Sequence, residues 1–171
     1  EIYTIGTNSM CEMLEEKGIK TYSENPEIVV LGYDTEINYE KLSKASILLH
    51  KGIPLVASHP DTVCPSPDGG LPDVGAYLSL LEATTGVKPI HICGKPNPGM
   101  LNHKIKELGL EAQQVAMIGD RLYTDMEMAN RVGCLSVLVL SGEATKEDAE
   151  NSPQKIDVMV DSVSSLIIGK D

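Results

Sequence analysis

The stretch Val115–Gly133, "VAMIGDRLYTDMEMANRVG", decides the reading of this chain. An apolar run stops at Gly119-Asp120, and a second acid, Asp125, follows five residues later where a helical pattern begins. A strand that ends in Gly-Asp and turns into a helix is the βα corner of a parallel sheet. In open sheets of that kind, ligands sit beyond the carboxyl ends of the strands. Asp120 ends the strand and points into that crevice, and Asp125 falls in the first turn of the next helix. Two converging carboxylates suit Mg²⁺, which takes one or two carboxylates, several waters and a substrate phosphate. An Asp in a first helical turn also complements the helix dipole, so the pair by itself leaves a metal site and a plain helix cap both open.

Working outward, strands and helices alternate along the whole chain. "IYTIG" reads as a strand, followed by a helix over "SMCEMLEEKG" with Asn8 or Ser9 as cap and Gly18 as stop. "EIVVLGYD" and "IPLVASHPD" read as strands on either side of a helix over "NYEKLSKASILLHKG". A Pro/Gly-rich loop, "PDTVCPSPDGGLPD", leads to a helix over "VGAYLSLLEATTG". "IHICGKPNPG" is a strand into a turn, and "MLNHKIKELG" a helix. After the opening stretch come a buried strand "CLSVLVLSG", a short helix "TKEDAENS", a strand "DVMVDS" and a closing helix "VSSLIIG". This alternation means βαβ units and an α/β fold with mostly parallel sheet. A break is expected near Ile90 to Gly94.

Composition narrows the partners. A net charge of −11 argues against nucleic acid or anionic lipid as partner, since each needs a basic face. No apolar run approaches the ~20 residues of a membrane span, and no signal peptide is legible. The four scattered cysteines (Cys11, Cys64, Cys93, Cys134) contain no C-x-x-C pair and read as reduced thiols of a cytoplasmic protein. The chain opens inside a strand-like run with no initiator Met, which reads as the middle of a longer protein.

The turn "CGKPNPG", Cys93 to Gly99, adds a cation to the two acids. Lys95 follows a strand in a turn stiffened by Pro96 and Pro98, where an ammonium can act as a point charge on phosphate oxygens. A Lys-Pro turn, one helix, then a strand ending in "GDRLYTD" is an ordered constellation. It resembles the C-terminal motifs of the haloacid dehalogenase superfamily, in particular its subfamily IIA (NagD-like, 4-nitrophenylphosphatase-like) phosphatases. "GKPNPGML" resembles that family's motif III, and "GDRLYTDMEMANRVGCLSVLVLSGEAT" its motif IV and following strand. "VVLGYDTEINYEKL" is similar to the entry of its inserted cap. "LVASHPDTVCPSPDGGLPDVGAYLSLLEATTG" is similar to the cap's substrate loop and long helix.

The resemblance implies a cap domain over residues 1–92 and the C-terminal half of a Rossmann-like core over residues 93–171. It implies that Lys95 holds the transferring phosphoryl group, that Asp120 binds Mg²⁺ directly, and that Asp125 binds it directly or through water. The cap-loop residues His59 and Asp61 are candidates for reading the leaving group. The implied activity is hydrolysis of a small phosphorylated metabolite through an aspartyl-phosphate; caps of that family often take part in dimer contacts, which leaves a homodimer through the cap open.

The chain departs from the family pattern in three places. Tyr123 stands where an acidic residue is usual, and His59 where many relatives carry Asn. The N-terminal motif Asp-x-Asp-Gly-Thr, with its attacking carboxylate and general acid/base, is not in these residues, nor is the motif II Ser or Thr. Asp34 in "GYDTEI" lacks the second Asp and is not taken as nucleophile, so the nucleophile is expected in an N-terminal segment outside the sequence. The alternative is a non-catalytic α/β ligand- or partner-binding module. A phospho-acceptor receiver domain fails on order, because its Lys should follow the acceptor strand and Lys95 precedes Asp120. His59 reads equally well as a loop histidine bonded to backbone. His50, His91 and His103 read as surface, and Met117, Met126 and Met128 as packing.

Overall fold

The structure, a computed structural model, describes residues 1–167. The chain divides into two compact units, Glu1–Cys93 and Gly94–Asp171.

The first unit carries a four-stranded, all-parallel sheet in the order β1-β2-β3-β6, formed by β1 (Ile2–Ile5), β2 (Ile28–Leu31), β3 (Leu55–Ala57) and β6 (His91–Ile92). Register runs Ile2↔Ile28, Val29↔Leu55 and Val56↔His91. The connections are α1 (Asn8–Glu16), α2 (Tyr39–His50) and α3 (Val74–Thr85). Crossovers of this kind are what parallel pairing requires. Tyr3, Ile5, Val29, Leu31 and Leu55 on the strands meet Leu48 and Leu49 of α2 and Leu81 of α3 in one core.

Two details of this unit differ from the sequence reading. The cap of α1 is Thr7 rather than Asn8 or Ser9: Thr7 is extended, and its hydroxyl accepts the Met10 N–H at 3.3 Å. The Pro/Gly-rich stretch is not structureless, because β4 (Val63–Cys64) and β5 (Leu71–Pro72) form a short antiparallel pair within it. Pro72 fits there because an edge strand can spare an N–H.

The second unit carries a three-stranded parallel sheet, β7 (Ala116–Gly119), β8 (Leu135–Val139) and β9 (Val158–Val160), in that order. Its helices are α4 (Gly99–Glu107), α5 (Glu127–Val132) and α6 (Lys146–Glu150). The central strand β8 is buried over Ser136 to Val139, as a strand covered on both faces should be. The outer strand β7 has an unpaired edge among the described residues, and Ile118 on it is 43% exposed. The core here is small: Met126, Leu138, Ala144 and Ala149 are buried, with Leu122, Leu140 and Ile156 against them. The closing helix is shorter than expected, a single 3₁₀ turn over Val163–Leu166; residues 168 and 169 of that stretch lie outside the described residues.

All four cysteines are free thiols. No helix among the described residues is long and apolar enough to cross a membrane. Met126 and Met128 are buried and Met117 half-buried, while His50, His91 and His103 are exposed.

Candidate active site

The second unit brings two of the sequence-predicted residues into direct contact and holds the third beside a turn of its own. Lys95 follows β6 in the Gly94–Pro98 turn, where the Lys95–Pro96 peptide is cis. Its ammonium lies 2.5 Å from Oδ1 of Asp125. The Asp125 side chain is 3% exposed and that of Lys95 41%. A carboxylate so buried must be paired or hydrogen-bonded, and here it is both, because Oδ2 also accepts the Arg121 N–H at 3.2 Å.

The burial of Asp125 has a backbone cause. Residues Leu122–Met126 form a π-helical turn rather than the first turn of an α-helix, with the Met126 N–H on the Arg121 carbonyl at 3.2 Å. This corrects the sequence reading. Such wide turns are rare and concentrate at functional sites. Gly119, the last residue of β7, completes the pocket: a Cβ there would overlap the Asp125 carboxylate.

Asp120 is held from the other side. Its Oδ2 accepts the Glu143 N–H at 2.9 Å, and its carbonyl accepts the Ala144 N–H at 3.0 Å. A Cβ on Gly142 would overlap its carboxylate. Arg121 Nε meets Glu143 Oε2 at 2.8 Å. Glu143 and Gly142 were not singled out from sequence, and only their place at a strand's carboxyl end could have flagged them. Tyr123 is 57% exposed and lines a shallow recess of about 280 Å³ with Leu122, Glu143, Ala144 and Asp148.

Two all-oxygen ligands fit a hard cation such as Mg²⁺. Each is backed by a glycine whose missing side chain makes room for the carboxylate. The donor set therefore matches the group that the sequence implies.

His59 and Asp61 lie in the first unit, on the segment between β3 and α3. His59 is not bonded to backbone: its Nδ1 is 2.9 Å from the Ser58 hydroxyl and its Nε2 2.8 Å from Oδ1 of Asp73. Asp73 caps α3 by accepting the Val74 N–H at 2.7 Å. Ligand atoms of His59, Asp61 and Asp73 all lie within 4.8 Å of one another. The trio sits at the positive end of α3, which disfavours a cation, and the imidazole is already satisfied. Asp34 is committed elsewhere, 1% exposed, 2.9 Å from the Lys41 ammonium and accepting the Glu36 N–H.

A family model described as HAD-hydrolase-like matches residues 92–166. The 4-nitrophenylphosphatase of Thermotoga maritima superposes with a TM-score of 0.90 at 42% identity, over 97% of this chain and 64% of that one. The chain is similar to the haloacid dehalogenase-like hydrolases. Within these hydrolases it is also 32% identical over 164 residues to the dihydroxyacetone phosphatase of Corynebacterium glutamicum, covering 96% of this chain and 59% of the relative. A glycerol phosphate phosphatase of Mycobacterium tuberculosis, solved in complex with magnesium, superposes with a TM-score of 0.89 at 27% identity, over 96% of this chain and 51% of that one. The chain thus spans less than two thirds of the length of these relatives.

Proposed function

We propose that the second unit provides the magnesium- and phosphate-binding half of a phosphatase acting on a small phosphate monoester. The observation that carries the reading is the Lys95–Asp125 contact beside Asp120 at the carboxyl end of β7. Lys95 would leave Asp125 for the oxygens of an incoming phosphoryl group, where an ammonium acts as a point charge. Asp120 and Asp125 would hold Mg²⁺, which when bound offsets phosphoryl charge and orients the ester for in-line attack. The β7 edge is where a parallel neighbour would bring the attacking carboxylate, and an aspartyl-phosphate would split hydrolysis into two easier displacements.

The first unit acts as the cap, with the His59–Asp61 loop reading the leaving group. A leaving group bearing hydroxyls suits a polar loop of this kind, because discrimination is strongest where buried polar pairs are made or lost. Two of the relatives, a dihydroxyacetone phosphatase and a glycerol phosphate phosphatase, favour three-carbon phosphates.

Calorimetric titration of the 171-residue chain with Mg²⁺ tests the metal reading. Asp120→Asn and Asp125→Asn should each weaken binding at least tenfold, while His59→Ala leaves it unchanged. A chain that ignores Mg²⁺, or variants that bind as well as the parent, would overturn it. The chain alone should give no turnover, and addition of residues that pair with β7 and bring a carboxylate should give Mg²⁺-dependent turnover lost in Lys95→Ala.

A further inference from the structure

The turn that follows β8 grips Asp120 at three points, although none of its residues is among those that carry the metal reading. The Glu143 N–H donates to Asp120 Oδ2 at 2.9 Å, and the Ala144 N–H to the Asp120 carbonyl at 3.0 Å. Gly142 lies so close that its absent Cβ would occupy the space of the Asp120 carboxylate. The Glu143 side chain then closes a ring by pairing with Arg121, the neighbour of Asp120, at 2.8 Å. Main-chain and side-chain contacts thus fix one carboxylate in position and rotation, from a segment more than twenty residues away in sequence.

We propose that Gly142 and Glu143 are positioning residues for the Asp120 carboxylate, setting which of its oxygens meets the cation. The inference rests on the reading of Asp120 as a magnesium ligand. Mg²⁺ demands near-ideal octahedral geometry at about 2.0–2.1 Å, so a carboxylate free to rotate binds it poorly. A group that orients a ligand typically contributes about 10–100-fold in metal affinity. Gly142 supplies the room and the Glu143 amide supplies the bond. The Arg121–Glu143 pair is exposed and serves mainly to hold the turn shut, so its own contribution is small.

Three variants separate these roles when titrated with Mg²⁺ by calorimetry. Gly142→Ala should weaken binding about tenfold or more. Glu143→Gln keeps the amide and should weaken it less than threefold. Ser141→Ala, in the same turn, should have no effect. Gly142→Ala that folds and binds Mg²⁺ as well as the parent overturns the proposal. A second readout stands apart from the metal. In the parent chain without Mg²⁺, the Glu143 amide should be protected from hydrogen exchange, and Asp120→Ala should speed that exchange tenfold or more. Unchanged exchange overturns the grip even if Gly142→Ala fails to fold. A parent chain that binds no Mg²⁺ yet shows this protection refutes the metal reading and leaves the grip standing.

Discussion

Asp125 and Asp157 are both acids held by neighbours, with different consequences. Asp157 has its pKa drawn down to about 2, first by the Lys155 ammonium and then by the Ser136 N–H and hydroxyl. A depressed carboxyl stabilises the fold above its unfolded pKa of about 3.9, and that contribution is lost as pH falls through the folded value. Asp157→Asn should therefore lower the melting temperature at pH 7 and change it little at pH 2. A carboxyl NMR titration with a midpoint near 4 would contradict the assignment. At Gly119, Ala substitution should expel the Asp125 carboxylate and weaken Mg²⁺ binding about tenfold or more, with the fold retained by circular dichroism. The residue types and spacing of Lys95, Asp120 and Asp125 were legible because strand ends and turns announce themselves in apolar patterning. The grip of Gly142 and Glu143 on Asp120 was not, since nothing in a sequence reports which backbone N–H a distant carboxylate accepts.

Among the elements, the helices and parallel strands were legible from periodicity, whereas the β4–β5 pair and the π-helical turn were not. The pair is two residues long on each strand and hidden among Pro and Gly. The π turn shares its composition with an ordinary α turn and differs only in which carbonyl each N–H finds. Its geometry has a measurable outcome. An α-helix advances about 100° per residue, so deleting Tyr123 to restore an α turn should swing Asp125 out of its niche. The expected result is a folded chain with Mg²⁺ binding lost. At α3, Asp73 both caps the helix and holds His59, so Asp73→Ala should cost about 1–2 kcal/mol in chemical denaturation. Gly75→Ala should also destabilise, because its Cβ would meet the Pro60 carbonyl.

At the scale of the molecule, a net charge of −11 makes self-repulsion a global term. Raising ionic strength from about 0.01 M to about 0.15 M shortens the screening length from about 30 Å to about 8 Å. The melting temperature should rise across that range at pH 7, and a fall would point to ion pairs outweighing the repulsion. The α/β class was legible from the alternation of elements. The small core of the second unit was not, because apolar patterning marks which residues can be buried and not which of them find neighbours. The strand order β1-β2-β3-β6 also bears on how fast the chain matures. Each new strand of the parallel sheet docks beside the strand of that sheet made before it, so the sheet grows from one edge in chain order. Folding rates rise as contacting residues lie closer in sequence, and the first unit can therefore assemble stepwise during synthesis, strand by strand. In a stopped-flow experiment, its Tyr3 and Tyr22 pair, in edge-on contact at 6.2 Å, should report a phase faster than the ordering of β7 and β8.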